Sequence, residues 1–128
     1  ISLVTDAMSA TGCPDGTYPL GDLTASVVSG VARLLLPDGA LGSIAGSTLT
    51  MDAAFRRMVV EAGATVPATA RMASSTPAWT HGLSDVGAIE VGRRADLCWL
   101  DDDIRLRAVM RRGRWVTRLR PSAAARPA

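Results

Sequence analysis

An aspartate at the end of a hydrophobic run is the first candidate for catalytic chemistry in this sequence. Asp6 follows residues 1–5 (ISLVT), a β-branched and apolar run that predicts a buried strand. Barrel and open-sheet enzymes carry catalytic groups at the C-terminal ends of such strands, where a carboxylate can accept and return a proton. An aspartate there can equally close the strand as an Asx turn, which is a structural role. Position alone leaves both interpretations open.

A second candidate is the run of small residues 42–47 (GSIAGS), which lies just before the most strongly patterned helix. Such a run exposes backbone N–H groups, which can hold an anion or a carbonyl oxygen. A turn followed by a helix cap is the structural alternative, and the spacing favours it.

The other nucleophiles and metal ligands form no recognisable constellation. His81 is the one histidine, so no pair of histidines can bind a metal, and its place at a predicted helix end suits a C-terminal cap. Cys13 and Cys98 lie too far apart for a CxxC pair and do not make a disulfide framework. We interpret Cys13 as a bystander in a long loop. The sequence contains neither a serine-hydrolase elbow nor a phosphate-binding loop.

Hydrophobic periodicity predicts the helices that must position these groups. The clearest covers residues 51–62, with an apolar stripe made of Met51, Ala54, Phe55, Met58, Val59 and Ala62. Gly63 is expected to end this helix. Pro67 is expected to open a second helix that ends at Thr76-Pro77, before a short turn or helix over residues 78–83.

Strand-like segments lie on both sides of these helices. Residues 7–23 are predicted to form a long loop, and residues 24–36 a hairpin around Ser29-Gly30, followed by a turn at residues 37–39. Two further strand candidates follow the helices, at residues 95–100 and 106–116. The second is interrupted by a predicted turn at Arg112-Gly113, and residues 117–128 have the composition of a frayed tail.

The composition describes a globular chain of 128 residues, the size of one domain or part of one. Hydrophobic residues make up 48%, enough to form a core, which excludes a disordered tail. Every basic residue is arginine, and the densest run, residues 105–120, is partly opposed by aspartates at 101–103, which argues against nucleic-acid binding. No apolar run reaches about 20 residues and no leader is visible. We therefore expect no membrane association and a cytoplasmic location.

Five segments of the chain carry a family resemblance. They are residues 4–8 (VTDAM), 15–18 (DGTY), 44–51 (IAGSTLTM), 72–78 (MASSTPA) and 87–97 (GAIEVGRRADL). Together they resemble the N-acetylglucosamine-6-phosphate deacetylases of the amidohydrolase superfamily. The last segment is shared widely among amidohydrolases, whereas the first combined with the third is specific to the deacetylases.

The resemblance implies an α/β fold of which this chain holds only the C-terminal third. The family has the (β/α)₈ TIM barrel of the metal-dependent amidohydrolases and a small β-sandwich, and a barrel needs about 250 residues. We expect residues 1–86 to supply the last barrel strand, active-site loops and closing helices. Residues 87–116 are expected to supply the C-terminal strands of the sandwich, and residues 117–128 a flexible tail. The first residue is Ile1 rather than methionine, which fits a start inside a longer gene.

The resemblance also implies hydrolysis of the acetamide of N-acetylglucosamine 6-phosphate, giving glucosamine 6-phosphate and acetate. In that family a divalent metal ion, zinc or iron, activates a water, and an aspartate at the end of the last barrel strand transfers its proton. Asp6 matches that aspartate, and Ile44, Ala45 and Gly46 match the loop that contacts the sugar. The family's metal ligands, a glutamate and two histidines, would lie upstream of this chain. The expected partners are thus an amino-sugar phosphate and, in the intact enzyme, further copies in a homo-oligomer.

Two other interpretations of the chain stay open at this stage. One is a different amidohydrolase, acting on a cyclic amide or another N-acyl substrate, because the shared C-terminal signature does not distinguish substrates. The other is a truncated module with no catalytic role, since the metal ligands are not in the chain and the fragment alone is expected to be inactive.

Overall fold

The computed structural model describes residues 1–118, which divide into two compact units. The N-terminal unit comprises Leu3–Ala54. The C-terminal unit comprises Ile1–Ser2 together with the residues from Phe55 onward. Each unit contains one antiparallel sheet, and the helices follow the first sheet in the chain.

Four strands form an antiparallel meander in the N-terminal unit. Their order in the sheet is their order in the chain: β1 (Gly16–Leu20), β2 (Leu23–Val28), β3 (Val31–Leu35) and β4 (Leu41–Ile44). Ala25 and Val27 are buried on β2, two positions apart and therefore on one face of the sheet. This face carries the apolar core of the unit.

The hairpin predicted around Ser29-Gly30 is confirmed as the β2–β3 connection. Both residues have positive φ, +50° and +73°, as the tight two-residue hairpin turn requires. The Asp15 carboxylate accepts the backbone N–H groups of Ser29 and Gly30, at 2.5 and 3.2 Å. The turn at residues 37–39 is also confirmed, since the Gly39 N–H donates to the Leu36 carbonyl at 2.9 Å.

Three predictions for the N-terminal part are wrong. Residues 1–5 form no strand, and the side chains of Ile1 and Val4 are 91% and 75% exposed. A buried parallel strand needs hydrogen-bonded neighbours on its edges, and the described residues offer this segment none. Residues 7–23 are not one long loop, because they contain β1 and the start of β2. The small-residue run 42–47 likewise begins inside β4.

The helix predicted over residues 51–62 is confirmed as α1 (Met51–Val60). Ala54, in the middle of the predicted apolar stripe, is buried. Gly63 ends the helix as expected, at φ +69°. The Ala62 and Ala64 N–H groups donate to the carbonyls of Arg57 and Met58, at 3.1 and 2.9 Å.

A second helical segment begins as predicted and ends later than predicted. It consists of α2 (Val66–Ala70), a π-helical turn (Arg71–Ser75) and α3 (Thr76–Thr80). Thr65 caps α2 by accepting the Ala68 N–H on its hydroxyl at 3.3 Å, and Pro67 lies in the first turn. Thr76-Pro77 does not stop the helix, because the chain continues through the π-helical turn before the proline. In this turn the Thr76 N–H donates to the Arg71 carbonyl, five residues back.

The last three strands form the second antiparallel sheet, in the order β5 (Leu97–Leu100), β6 (Leu106–Arg111) and β7 (Arg114–Arg118). The predicted turn at Arg112-Gly113 is confirmed, with φ +49° and +77°. It is anchored from outside the hairpin, since the Asp96 carboxylate accepts the Arg112 N–H at 2.7 Å. Of the predicted tail, residues 117 and 118 belong to β7, and residues 119–128 lie outside the described residues. Within residues 1–118, no helix has the length and apolar character needed to cross a membrane.

Candidate active site

The structure brings together the two segments that the sequence singled out separately. Ala7 and Ser47 form an isolated parallel β-bridge, and the Met8 N–H donates to the Ser47 carbonyl at 2.9 Å. Asp6 directly precedes Ala7 of this bridge, and Gly46 directly precedes Ser47. We call residues 6–11 and 44–47, with the bridge between them, the junction.

Asp6 adopts an uncommon backbone conformation at this junction. Its φ is +50°, in the left-handed region, and its side chain is exposed. That conformation costs a residue other than glycine roughly 1 to 3 kcal/mol, and residues held this way concentrate at functional sites. Aspartate is among the residues that tolerate it best. The chain thus turns at Asp6 and leaves its carboxylate accessible.

Gly46 permits the two segments to approach each other closely. Its φ is +132°, and a Cβ placed there would lie 3.1 Å from the Met8 Cβ. Both the conformation and the spacing favour glycine. Sequence reasoning assigned Gly46 to substrate contact through the resemblance alone; the structure adds this requirement of backbone packing.

The Ser47 carbonyl is the hydrogen-bonding centre of the junction. It accepts the Met8 N–H and also the Thr11 hydroxyl, the latter at 3.0 Å. The Ser47 hydroxyl accepts the Leu49 N–H at 3.0 Å, which directs the chain toward α1. Next to it, the Thr48 hydroxyl donates to the Gly30 carbonyl in the β2–β3 turn. Sequence analysis did not single out Thr11 and included Ser47 only as part of the run 42–47, and no local pattern predicts the bond between them.

A small apolar core lies beneath the junction. Ala10, Val27 and Ala32 are buried, and the partly buried side chains packed against them include Met8 and Ala45. The Ala45 N–H donates to the Ala32 carbonyl on β3 at 2.9 Å. Both segments of the junction are therefore attached to the sheet of the N-terminal unit. Ile44 is largely exposed, and Ala45 and Gly46 are partly buried.

The described residues do not provide a metal centre. No group of three or more histidine, cysteine, aspartate or glutamate side chains comes together within residues 1–118. His81, in the C-terminal unit, is exposed at the C-terminal cap of α3, as predicted for a capping residue, and its N–H donates to the Pro77 carbonyl. Cys13 is exposed. The chemistry available at the junction is that of one accessible carboxylate next to the segment 44–47.

The chain is similar in sequence to curated sugar-phosphate deacetylases. The chain is 40% identical over 114 residues to the N-acetylgalactosamine-6-phosphate deacetylase of Escherichia coli O157:H7, covering 88% of this chain and 29% of that protein. It is 33% identical over 117 residues to the N-acetylglucosamine-6-phosphate deacetylase of Vibrio furnissii, covering 91% of this chain and 28% of that protein. The chain thus spans less than a third of the length of these relatives.

Solved structures of such enzymes have the same fold over the shared region. The N-acetylglucosamine-6-phosphate deacetylase of Thermotoga maritima matches 92% of this chain with a TM-score of 0.78 and 40% identity, over 31% of its own chain. A mutant of the Mycobacterium smegmatis deacetylase, in complex with N-acetyl-D-glucosamine-6-phosphate, matches 90% with a TM-score of 0.77 and 45% identity, over 30% of its own chain. The resemblance stated from the sequence is confirmed. Because the Amidohydrolase family pattern also matches residues 6–117, the chain belongs to the amidohydrolase family.

Proposed function

We propose that this chain is the C-terminal third of an N-acetylglucosamine-6-phosphate deacetylase. The complete enzyme would combine a (β/α)₈ barrel with a small β-sandwich, and residues 1–86 and 87–116 would belong to these two parts. The observation that carries the proposal is the junction, which joins the segment of Asp6 to the segment of Ile44, Ala45 and Gly46. Relatives with this activity, 33% to 45% identical to the chain, support it.

The proposed reaction is hydrolysis of the substrate acetamide to glucosamine 6-phosphate and acetate. Asp6 accepts a proton from the attacking water while the water oxygen bonds to the carbonyl carbon of the acetamide. Asp6 then returns a proton to the amide nitrogen as the C–N bond breaks. Ile44, Ala45 and Gly46 hold the sugar beside it. A divalent metal supplies Lewis acidity in amidohydrolases, but the described residues do not fit a metal centre, so we assign no step in this chain to it.

N-acetylgalactosamine 6-phosphate is the second candidate substrate. The observation that favours it is the 40% identity to the enzyme from E. coli O157:H7 that acts on that sugar. The two sugars differ only in the configuration of one hydroxyl group, and their acetamide and phosphate are the same. Measuring kcat/KM of the complete enzyme for both phosphates, and for the unphosphorylated sugars, decides between them. Equal rates without the phosphate would instead favour an amidohydrolase of another substrate class.

The central test of the proposed function is Asp6→Asn in the complete enzyme. Asparagine preserves the shape of the side chain but cannot accept the proton, so kcat should fall by about 10²- to 10⁴-fold with substrate affinity largely retained. The matched control is Asp22→Asn, which neutralises another exposed aspartate of the N-terminal unit, in the β1–β2 turn. A mutant that melts at a lower temperature but turns over at the wild-type rate would assign Asp6 a structural turn and remove it from the mechanism.

A further inference from the structure

We propose that Thr11 is a positioning residue, whose hydroxyl holds the Asp6 segment in register with the sugar-contacting segment by bonding to the Ser47 carbonyl. This inference rests on the proposed function of Asp6 and of residues 44–46. Thr11 touches neither the reacting atoms nor the sugar in this assignment. It acts through the backbone that places them.

The hydrogen bonds from residues 8 and 11 converge on one acceptor. The Met8 N–H and the Thr11 hydroxyl both donate to the Ser47 carbonyl, at 2.9 and 3.0 Å. The Thr11 N–H in turn donates to the Met8 carbonyl at 3.0 Å, which closes residues 8–11 into a turn. Two points of this turn are therefore attached to Ser47. The second bond restrains the orientation of the turn relative to Ser47 more tightly than the Met8 bond does alone.

The segments on both sides of this contact are themselves anchored. Ala10, adjacent to Thr11, is 1% exposed in the core of the N-terminal unit, and Ala45 is bonded to β3 through the Ala32 carbonyl. Thr11 is partly buried, and its β-branched side chain has few rotamers available. The hydroxyl is thus presented to Ser47 by a backbone that has little freedom to move away.

The spacing of the two segments at the bridge also depends on glycine at position 46. A Cβ added at Gly46 would lie 3.1 Å from the Met8 Cβ, so a larger residue there would push the two segments apart. The Met8 and Thr11 bonds to the Ser47 carbonyl together hold the segments at this distance. Misplacing a catalytic group by about 1 Å can lower a rate by roughly a hundredfold, so a restraint at this point bears directly on the position of Asp6.

The experiment compares Thr11→Val and Thr11→Ser in the complete enzyme. Valine keeps the shape and removes the donor, so kcat should fall by roughly ten- to a hundredfold while KM for the sugar phosphate changes far less. Serine restores the donor and should return kcat to within a few-fold of the wild type. Thr80→Val is the matched control, because it also removes a threonine-to-carbonyl bond, of 2.9 Å within α3, and belongs to the other unit.

The outcomes separate this inference from the proposed function. If Thr11→Val turns over as fast as Thr80→Val in an enzyme that Asp6→Asn inactivates, the positioning role is wrong and the function of Asp6 stands. If Thr11→Ser is as slow as Thr11→Val in soluble protein with a wild-type melting temperature, the hydroxyl is not what matters, and the inference is also wrong. Should Thr11→Val fail to accumulate, Thr11→Ala removes the same donor without introducing a new branch, and the same loss of kcat is required of it.

Discussion

Several single residues with positive φ lie at sharp turns of this chain. Asp6, Ser29 and Arg112 all adopt the left-handed region, but only the latter two lie in hairpin turns between paired strands. Each hairpin turn is held by a carboxylate from elsewhere in its unit, Asp15 or Asp96. Asp6 does not lie in a hairpin turn between paired strands. It directly precedes Ala7, which forms the bridge to Ser47.

Asp96 is expected to make stability depend on acidity. The Arg112 backbone N–H, and after it the Arg94 guanidinium, hold the pKa of the Asp96 carboxyl below its ordinary value of 3.8. The unfolded chain therefore takes up this proton more readily than the folded one. The stabilisation is present at neutral pH and is lost as the pH falls below about 4 and through the lowered pKa of the folded state.

Asp96→Asn should consequently lower the melting temperature of the complete enzyme at pH 7, and the difference from wild type should shrink as the pH falls below about 4. Thermal melts across this range measure it. Asp102→Asn is the control, because it removes an exposed carboxylate outside the hairpin-turn contact. Equal melting temperatures for the two mutants at pH 7 would contradict the assignment.

Among the elements, the π-helical turn is the feature that local rules describe least well. The sequence predicts two helices separated at Thr76-Pro77, and the structure continues α2 into α3 through Arg71–Ser75. After α3 the chain folds back, so that Gly87 lies against the π-helical turn and α3. The Ser75 hydroxyl donates to the Gly87 carbonyl at 2.6 Å, and a Cβ at Gly87 would lie only 2.6 Å from the Ala78 Cβ.

Gly87→Ala should therefore lower the free energy of unfolding by more than the cost of placing alanine at positive φ. Gly92→Ala is the matched control, since Gly92 has a similar φ, +90° against +87°, and no atom within 4 Å of its added Cβ. The left-handed backbone costs alanine about 1 to 2 kcal/mol at either position. Overpacking against Ala78 should add roughly 1 to 3 kcal/mol at Gly87 only. Denaturant unfolding of the complete enzyme measures both, and equal losses would show that the region relaxes around the new methyl group.

At the scale of the whole molecule, we expect the chain not to catalyse the reaction alone. The described residues offer one accessible carboxylate at the junction and no cluster of metal ligands. We expect purified residues 1–128 to show no deacetylase activity with any added divalent metal, because a metal site needs several ligands in a defined geometry. Acetate release above a buffer blank would contradict this expectation.

The isolated chain should also associate or fold only marginally. Large apolar side chains are exposed in both units, among them Val4 at 75%, Trp79 at 83% and Ile89 at 88%. Surfaces of this kind drive association, and the relatives contain more than twice as much further chain that could cover them. Sedimentation should show concentration-dependent species. A compact monomer with a sharp cooperative melt would be evidence against this expectation. The homo-oligomer expected of the complete enzyme stays a separate prediction.

The sequence by itself determined the features that depend on neighbours along the chain. The apolar spacing of α1 predicts its helix because side chains three and four residues apart share a face. The turns at Ser29-Gly30 and Arg112-Gly113 follow from a glycine between strand-like segments, because glycine adopts positive φ without steric cost. The family resemblance likewise rests on short segments, and it identified Asp6 and residues 44–46 as candidates without showing that they meet.

Only the tertiary structure decided how those candidates are arranged. Thr11 and Ser47 are 36 positions apart, and no local periodicity encodes a hydrogen bond between them. The same reason explains why the strand predicted at residues 1–5 is absent. The segment has the β-branched composition of a strand, but a strand forms only with a hydrogen-bonded neighbour. Local sequence preferences limit the secondary structures that a segment can adopt. Contacts with segments distant in the sequence decide which of these it adopts, because the hydrogen bonds of a sheet and the burial of side chains form between segments.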